Sequence, residues 1–432
     1  MSEPLCVPPI QNKKKLGIAW LVWGLAAAFY FSDYLARVTV NVMHRYLQID
    51  FNMNEAQFGI LSASFYVPYI FMQIPVGLMV DRMSIRWVLT LMALLSAFGC
   101  SVFGLADTLM MASVGRMLIG FTAAFAFIST LRLATIWFPP KMMGLLAGLT
   151  QAIGMLGAAS GEAPVAFLVG QIGWRHSMLV IAFIFILLAA FLYQFVRDKP
   201  KAESCEVKVS KIKKVKIFDS LRIVLSMPQT WINALFTGFV FTPTAVIGES
   251  YGAAYLQYGR NFPVHSAAFI IGLIFIGWGF GGPIAGWFSD RLGRRKPVMI
   301  FSALSGVVLS SWMVFSPNMT QTTAAVLFFL FGFTNIGVSI AYAVATELHH
   351  RSVVGTVIAF TNMASIFVGA LFQPIVGKLI DHISGMRAYN VEHLHLSDYQ
   401  YALGVLPLCS FVALVLACMV KETYCKPLKD DD

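Results

Sequence analysis

Charge is scarce in this chain. Only 12% of its 432 residues are Asp, Glu, Lys or Arg, about half the share of a soluble domain. With 58% hydrophobic residues, most of the surface must face something other than water. Long polar stretches are rare too. A helix needs roughly 20 apolar residues to cross about 30 Å of hydrocarbon, and such runs fill the chain from Leu16 to Val420. No room remains for a separate soluble core and no catalytic motif is visible, so the chain does not read as an enzyme. Cysteine is sparse as well: Cys6, Cys100, Cys205, Cys409, Cys418 and Cys425 lack the spacing of a metal site or a disulfide framework. No cofactor and no metal are expected. His393-x-His395 reads as part of a solvated loop. Gly277, Gly279, Gly281 and Gly282, followed by Pro283, read as close helix packing and a bend. The net charge is +10, but no basic stripe with interleaved aromatics accompanies it, which argues against a nucleic-acid partner.

What is present is a series of apolar segments. They predict helices over 16–44, 56–80, 87–106, 109–137, 143–170, 174–197, 229–256, 264–288, 297–315, 322–346, 354–380 and 398–420. The domains expected are an N-terminal tail (1–15), a six-helix half (16–197), a basic linker (198–228), a second six-helix half (229–420) and a C-terminal tail (421–432). The polar start, Met1 to Lys15, leads into a run longer than a signal-peptide core, so the first helix is expected to be retained. Alternate connections hold most of the 31 basic residues, including Lys13–Lys15, Arg82, Arg86, Lys141, the linker lysines, Arg291, Arg294, Arg351 and Lys421. The positive-inside rule then places both termini in the cytoplasm of a multi-pass protein, expected in the cell (inner) membrane. Only Arg45, Arg175, Arg260, Lys378 and Arg387 fall on the outer side.

The two halves repeat. Gly77-Leu-Met-Val-Asp81-Arg82 follows the second helix, and Gly286-Trp-Phe-Ser-Asp290-Arg291-Leu-Gly293-Arg294-Arg295-Lys296 follows the eighth. Thr150-Gln151 after Gly144 is echoed by Thr361-Asn362 after Gly355. Chains built from such parallel repeats bind substrate near the midplane, between the halves. The loop sequences resemble the G-x-x-x-D-R-x-G-R-[RK] signature of the major facilitator superfamily. The second copy is nearly complete, and the first has Ser84 where glycine is usual. The resemblance implies an all-α integral membrane protein of twelve transmembrane helices, working by alternating access with no cofactor. It also implies that Gly77, Asp81, Arg82, Gly286, Asp290, Arg291 and Arg294 form a latch that holds the halves in one state; the alternative is that they only fix loops and topology. Arg116-x-x-x-Gly120 resembles a scaffold element of the family. With Trp137-Phe138 and Gly148-Leu149 it also gives a weaker likeness to the lysosomal dipeptide-transporter branch. Gly148, Gly157 and Gly161 follow the family's antiporter pattern until Glu162 replaces its proline.

Ionisable and polar residues in the apolar segments are the functional candidates, because a charge at the bilayer centre costs at least about 2.5 kcal/mol. Tyr30, Asp33, Tyr34, Arg37 and Asn41 share one helix face. Tyr66 and Gln73 in the second helix, and Asn335, Ser339 and Tyr342 in the tenth, form similar stripes. By resemblance the first and fourth helices of each half line a central cavity and the second flanks it, so all ten are candidate substrate contacts; the alternative for each is polar packing. Arg37 offers a fork that fits a carboxylate or phosphate, unless Asp33 one turn earlier neutralises it. Glu162 is the first candidate for carrying a proton and Asp33 the second, since low dielectric favours the neutral form of a carboxylic acid. The alternative for Glu162 is a permanent ion pair with Arg37 or Arg132. Glu249, nearer the outer end, is expected to be exposed. The reading is a transporter of a small organic anion or zwitterion (carboxylate, amino acid or short peptide), coupled to protons, embedded in lipid and monomeric. The alternatives are a drug or siderophore efflux antiporter and a transporter-like receptor.

Overall fold

The computed structural model describes residues 13–139, 142–198, 217–350, 353–385 and 389–426. The linker lysines between 199 and 216, together with Lys141, Arg351, Arg387 and Lys429, lie outside the described residues. In the N-terminal half, α1 runs over Lys13–Val38 and continues after Thr39 as Val40–Phe51. Next come α2 (Glu55–Ser64 and Tyr66–Arg82), α3 (Ile85–Gly104) and α4 (Leu109–Trp137). The long helical stretch Met143–Phe195 turns back at Gly173, whose φ of 79° suits glycine, and its two arms are α5 and α6. The C-terminal half has α7 (Pro228–Gly259), α8 (Val264–Leu292), α9 (Lys296–Phe315), α10 (Gln321–Glu347), α11 (Val354–Ser384) and α12 (Leu396–Met419). Among the described residues twelve spans in two sets of six result, and an even number puts the start of α1 and the end of α12 at one end, called here the terminal end.

Short polar signals set where these helices begin. Asn54 and Gln57 form a reciprocal capping box before α2, Ser84 caps α3, Thr108 caps α4 and Thr320 caps α10. Each satisfies backbone N–H groups that have no partner within the helix. Two features depart from expectation. The stretch expected to be wholly linker contains a short helix, Ile217–Ser226, because Val224 finds an apolar cleft in which to bury. And α7 is not regular beyond Pro243: Thr244–Tyr251 and Tyr255–Gly259 are wound as π-helix, with a wider turn. Proline supplies no N–H to the ladder and disturbs the turn before it.

Within the N-terminal half α1 packs on the α5–α6 stretch and α3 on α4; within the other half α7 packs on α11 and α8 on α10. Across the halves, α2 meets α11 and α5 meets α8. The α2–α11 contact is tight at the end away from the termini, the far end. A Cβ on Gly59 would lie 2.6 Å from the Gln373 carbonyl oxygen, and one on Gly377 would lie 2.3 Å from that of Glu55. Only hydrogen fits there. Toward the terminal end, a Cβ on Gly77, Gly148, Gly286 or Gly355 would meet nothing within 4 Å. The signature glycines Gly77 and Gly286 thus mark no close helix approach in this conformation.

Candidate functional site

The interior polar residues follow one another in depth along α1. Closest to the terminal end is a network of half-buried side chains. The Tyr342 hydroxyl donates to Asn362 Oδ1 at 2.7 Å, and Asn362 Nδ2 donates to Gln73 Oε1 at 2.8 Å. On the α1 side, Tyr30 donates to Gln151 at 3.4 Å and packs edge-to-face on Tyr34 at 5.0 Å. The network joins α2 to α10 and α11 across the halves and leaves Tyr34, Tyr69, Tyr342 and Asn362 partly accessible.

One turn deeper sits Arg37, 4% exposed. Its guanidinium lies 5.0–5.9 Å from the ring centres of Tyr34, Phe65, Tyr66 and Phe241, and aromatic faces attract a desolvated cation. Its charge partner is neither Asp33 nor Glu162. Glu249 of α7 meets it at 3.0 Å, and Tyr66 accepts a longer bond at 3.4 Å. Glu249, expected at an exposed outer position, is 2% exposed. The wide turn of α7 carries it inward. Asp33 is also buried, with Oδ1 unpartnered.

Another turn along, Asn41 binds both halves at once. Its Nδ2 donates to Glu162 Oε1 at 3.0 Å and to the Gly248 carbonyl at 3.2 Å, while its Oδ1 accepts from Ala253 N at 3.1 Å. Glu162 is fully buried and its Oε2 has no partner. Beside it the hydroxyls of Ser62 and Ser250 pair at 2.8 Å across the halves. Beyond this layer the far end is sealed. Glu55 lies 3.1 Å from His44 and accepts from Gln48 at 2.8 Å. Tyr251 donates to the carbonyls of Glu55 and Gln373. Asp381 of α11 accepts from the N–H groups of Glu55 and Ala56, both at 3.0 Å, capping α2 from the other half.

Other candidates lie elsewhere. Asn335 donates to Thr244 at 2.7 Å inside its own half, and Ser339 faces α8 beside Gly282; neither is bonded to the Arg37 group. Arg116 donates to the carbonyls of Ala36, Arg37 and Ser62, beside the interruptions of α1 and α2, and so ties these two helices to α4. The side chains of Asp81 and Arg82 lie outside those described. In the second copy of the signature, Arg291 and Arg294 are exposed. The hub there is Arg295, which had not been singled out: it holds Asp290 at 2.6 Å and Glu347 at 2.7 Å. Burial works against its charge, but these carboxylates hold its pKa above the ordinary value. The first-copy loop closes on Asp198, which accepts from Ser84 and from Arg86 N. Among the described residues, the bonds of each loop stay inside its own half.

Comparison with known proteins agrees with this architecture. The Major Facilitator Superfamily model matches residues 23–374. A probable sulfoacetate transporter of Cupriavidus necator is 24% identical over 328 residues, 73% of this chain and 75% of that protein. The membrane sensor protein UhpC of Escherichia coli is 23% identical over 388 residues, 84% of this chain and 86% of its own. Among solved structures, a bacterial homolog of the human lysosomal transporter Spinster superimposes with a TM-score of 0.74 at 16% identity, covering 93% of this chain and 98% of that one.

Proposed function

This chain belongs to the major facilitator superfamily, and from that premise we propose that it is a proton-coupled carrier of a small organic anion, working by alternating access. The carrying observation is Arg37: a guanidinium removed from water, held among aromatic rings and paired across the halves with one carboxylate, Glu249. A fork in that setting recognises carboxylate, sulfonate or phosphate oxygens. The anionic group of the substrate takes Arg37 from Glu249, and the buried Tyr30, Tyr66 and Gln73 with the half-buried Tyr34 and Tyr342 supply hydrogen bonds around it. The printed substrate of the sulfoacetate relative is an anion of this kind. Glu162 takes the proton, with Asp33 second: each is a buried carboxyl group with an unpartnered oxygen, and the neutral acid is the form that burial favours. The latch residues of the signature loops engage when the terminal end closes, which by the positive-inside argument faces the cytoplasm.

The test is uptake into liposomes, with sulfoacetate and a panel of small carboxylates and sugar phosphates as probes. An inward proton gradient is expected to accelerate uptake, Glu162→Gln to abolish that acceleration, and Arg37→Lys to cut uptake about a hundredfold, since an ammonium cannot make the two-pronged bond. Uptake indifferent to the gradient in the unmodified protein removes the coupling. The likeness to a membrane sensor favours a second reading, a receptor that binds without translocating; anion binding with no counterflow would establish it instead.

A further inference from the structure

The wide turn of α7 has an unusual neighbour. At its end the Gly252 N–H bonds back to the Ile247 carbonyl, five residues earlier. Continued in that register, Ala253 N–H would bond the Gly248 carbonyl. The chain instead returns to α-helix over Gly252–Ala254, and the Asn41 carboxamide bridges the two groups, accepting from Ala253 N at 3.1 Å and donating to the Gly248 oxygen at 3.2 Å. One side chain of α1 thus stands in for a rung of the α7 ladder. The insertion has consequences for the whole turn. Gly248, Glu249, Ser250 and Tyr251 are consecutive, yet each bonds the N-terminal half, through Asn41, Arg37, Ser62 and Glu55. Successive residues of a regular α-helix point about 100° apart, so a wider turn is what helps bring all four to bear. Widened turns of this type recur at functional sites.

The second donor hydrogen of the same amide goes to Glu162 Oε1 at 3.0 Å. With both Nδ2 hydrogens and its oxygen engaged by protein, Asn41 has little capacity left for substrate. We propose that Asn41, expected from its helix face to be a substrate contact, is instead the positioning residue that transmits the state of Glu162 to the shape of α7 and thereby to the Arg37–Glu249 pair. The inference rests on the reading of Glu162 as the proton-carrying group. A hydrogen bond to a carboxylate is about twice as strong as one to a neutral acceptor. Ionised Glu162 therefore holds the Asn41 amide in place and keeps the α7 rung open; protonated Glu162 loosens it. Once the amide swings away, Ala253 N–H and the Gly248 carbonyl lose the side chain that bridges them, the turn is free to change its pitch, and Glu249 shifts relative to Arg37. The titratable and charged groups on the elements around Glu162 include Asp33, Arg37 and His44 on α1, Glu249 on α7 and His265 on α8. None of them is bonded to its carboxyl group, and Asn41 is.

Amide hydrogen exchange of the full-length protein in detergent, with no substrate present, tests this. Rates over 248–256 are measured from roughly pH 5 to 9, the range in which a buried carboxyl group titrates, and corrected for intrinsic exchange. The unmodified protein is expected to lose protection at Ala253 as pH falls. Asn41→Ala should exchange there about tenfold faster, the equivalent of one lost hydrogen bond, and show no pH response. Asn41→Leu, of similar size but with no hydrogen-bonding or titratable group, should also lose the response and serves if the alanine variant does not fold. Glu162→Gln should remain at the low-pH level throughout. Unchanged Ala253 exchange in Asn41→Ala, a pH response that survives in it, or none in the unmodified protein would each overturn the proposal. Because no anion is used, failure here is separable from failure of the transport reading, which shows in the liposome assay.

Discussion

At the far end, Asp381 caps α2 from α11, Tyr251 binds the Glu55 carbonyl, and Gly59 and Gly377 let two backbones touch. At the terminal end, Asp290, Arg295 and Glu347 bond only one another and their own half, and Asp198 closes the equivalent loop of the first half. The far end thus closes by shape and by bonds between halves, the ion pair of Arg45 with Glu392 at 2.6 Å among them. The terminal end spends its charges on making each half a unit. Such an arrangement suits two rigid bodies that separate at one end while pivoting on the other, since the bonds that preserve each body are not the ones that must break.

The comparison can be broken most forcefully at Arg295. Its side chain and that of Glu347 are 11% and 10% exposed, and removing one partner of a largely buried pair leaves the other charge stranded, at a cost of about 3 kcal/mol. Arg295→Ala is expected to lower the thermal stability of the detergent-solubilised protein by that order, without altering distances across the far end. Asp290→Asn should cost under about 1 kcal/mol, because the Asp290 side chain is 66% exposed and exposed ion pairs contribute little. Equal losses for the two variants would show that the cluster is not centred where the contacts place it.

A smaller, opposite effect is expected at Gly377. An added methyl group would sit 2.3 Å from the Glu55 oxygen, and since that oxygen belongs to backbone, the helices must part. Overpacking of this sort costs about 1–3 kcal/mol, here against the sealed state alone. Gly377→Ala should therefore lengthen the distance between spin labels at Gln57 and His382, both exposed, in a larger fraction of molecules. Should the distance distribution stay as in the parent protein, close approach is not what seals this end.

The span count and the duplication were legible because both rest on local properties: the length of an apolar run and a short motif repeated at equal offsets. The pairing of charges was not. Helical spacing made Asp33 the natural partner of Arg37, but the partner is Glu249, brought in from the other half by a turn whose widening no 3.6-residue periodicity predicts. Pro243 announced a break without saying what followed. The signature loops were recognisable in sequence, yet their glycines are open here, and the close contact falls to Gly59 and Gly377, which belong to no motif. Arg295, one residue along from the expected Arg294, is the one that caps inward; which of two adjacent arginines turns in depends on the start of α9.

The smallest effect concerns a histidine at the terminal end. His349, just past α10, is 3% exposed. Its Nδ1 donates to the Ala345 carbonyl at 3.0 Å, which leaves Nε2 of the neutral ring to accept from the Thr230 hydroxyl at 3.0 Å. Thr230 opens α7, so this contact joins α7 to α10 inside one half, like the charge cluster nearby. Burial holds the His349 pKa below its ordinary value of 6.5, with neighbouring His350 acting in the same direction. The unfolded chain therefore binds a proton before the folded one does. Stability from this group is present above about pH 6.5 and is lost as pH falls through the lower folded value. The loss should be about 1 kcal/mol, the size of one hydrogen bond. It should disappear in His349→Gln while the spin-label distance across the far end stays constant with pH in both proteins. A far-end distance that followed His349 titration would couple the two ends and contradict their separation into bonds within halves and bonds between them.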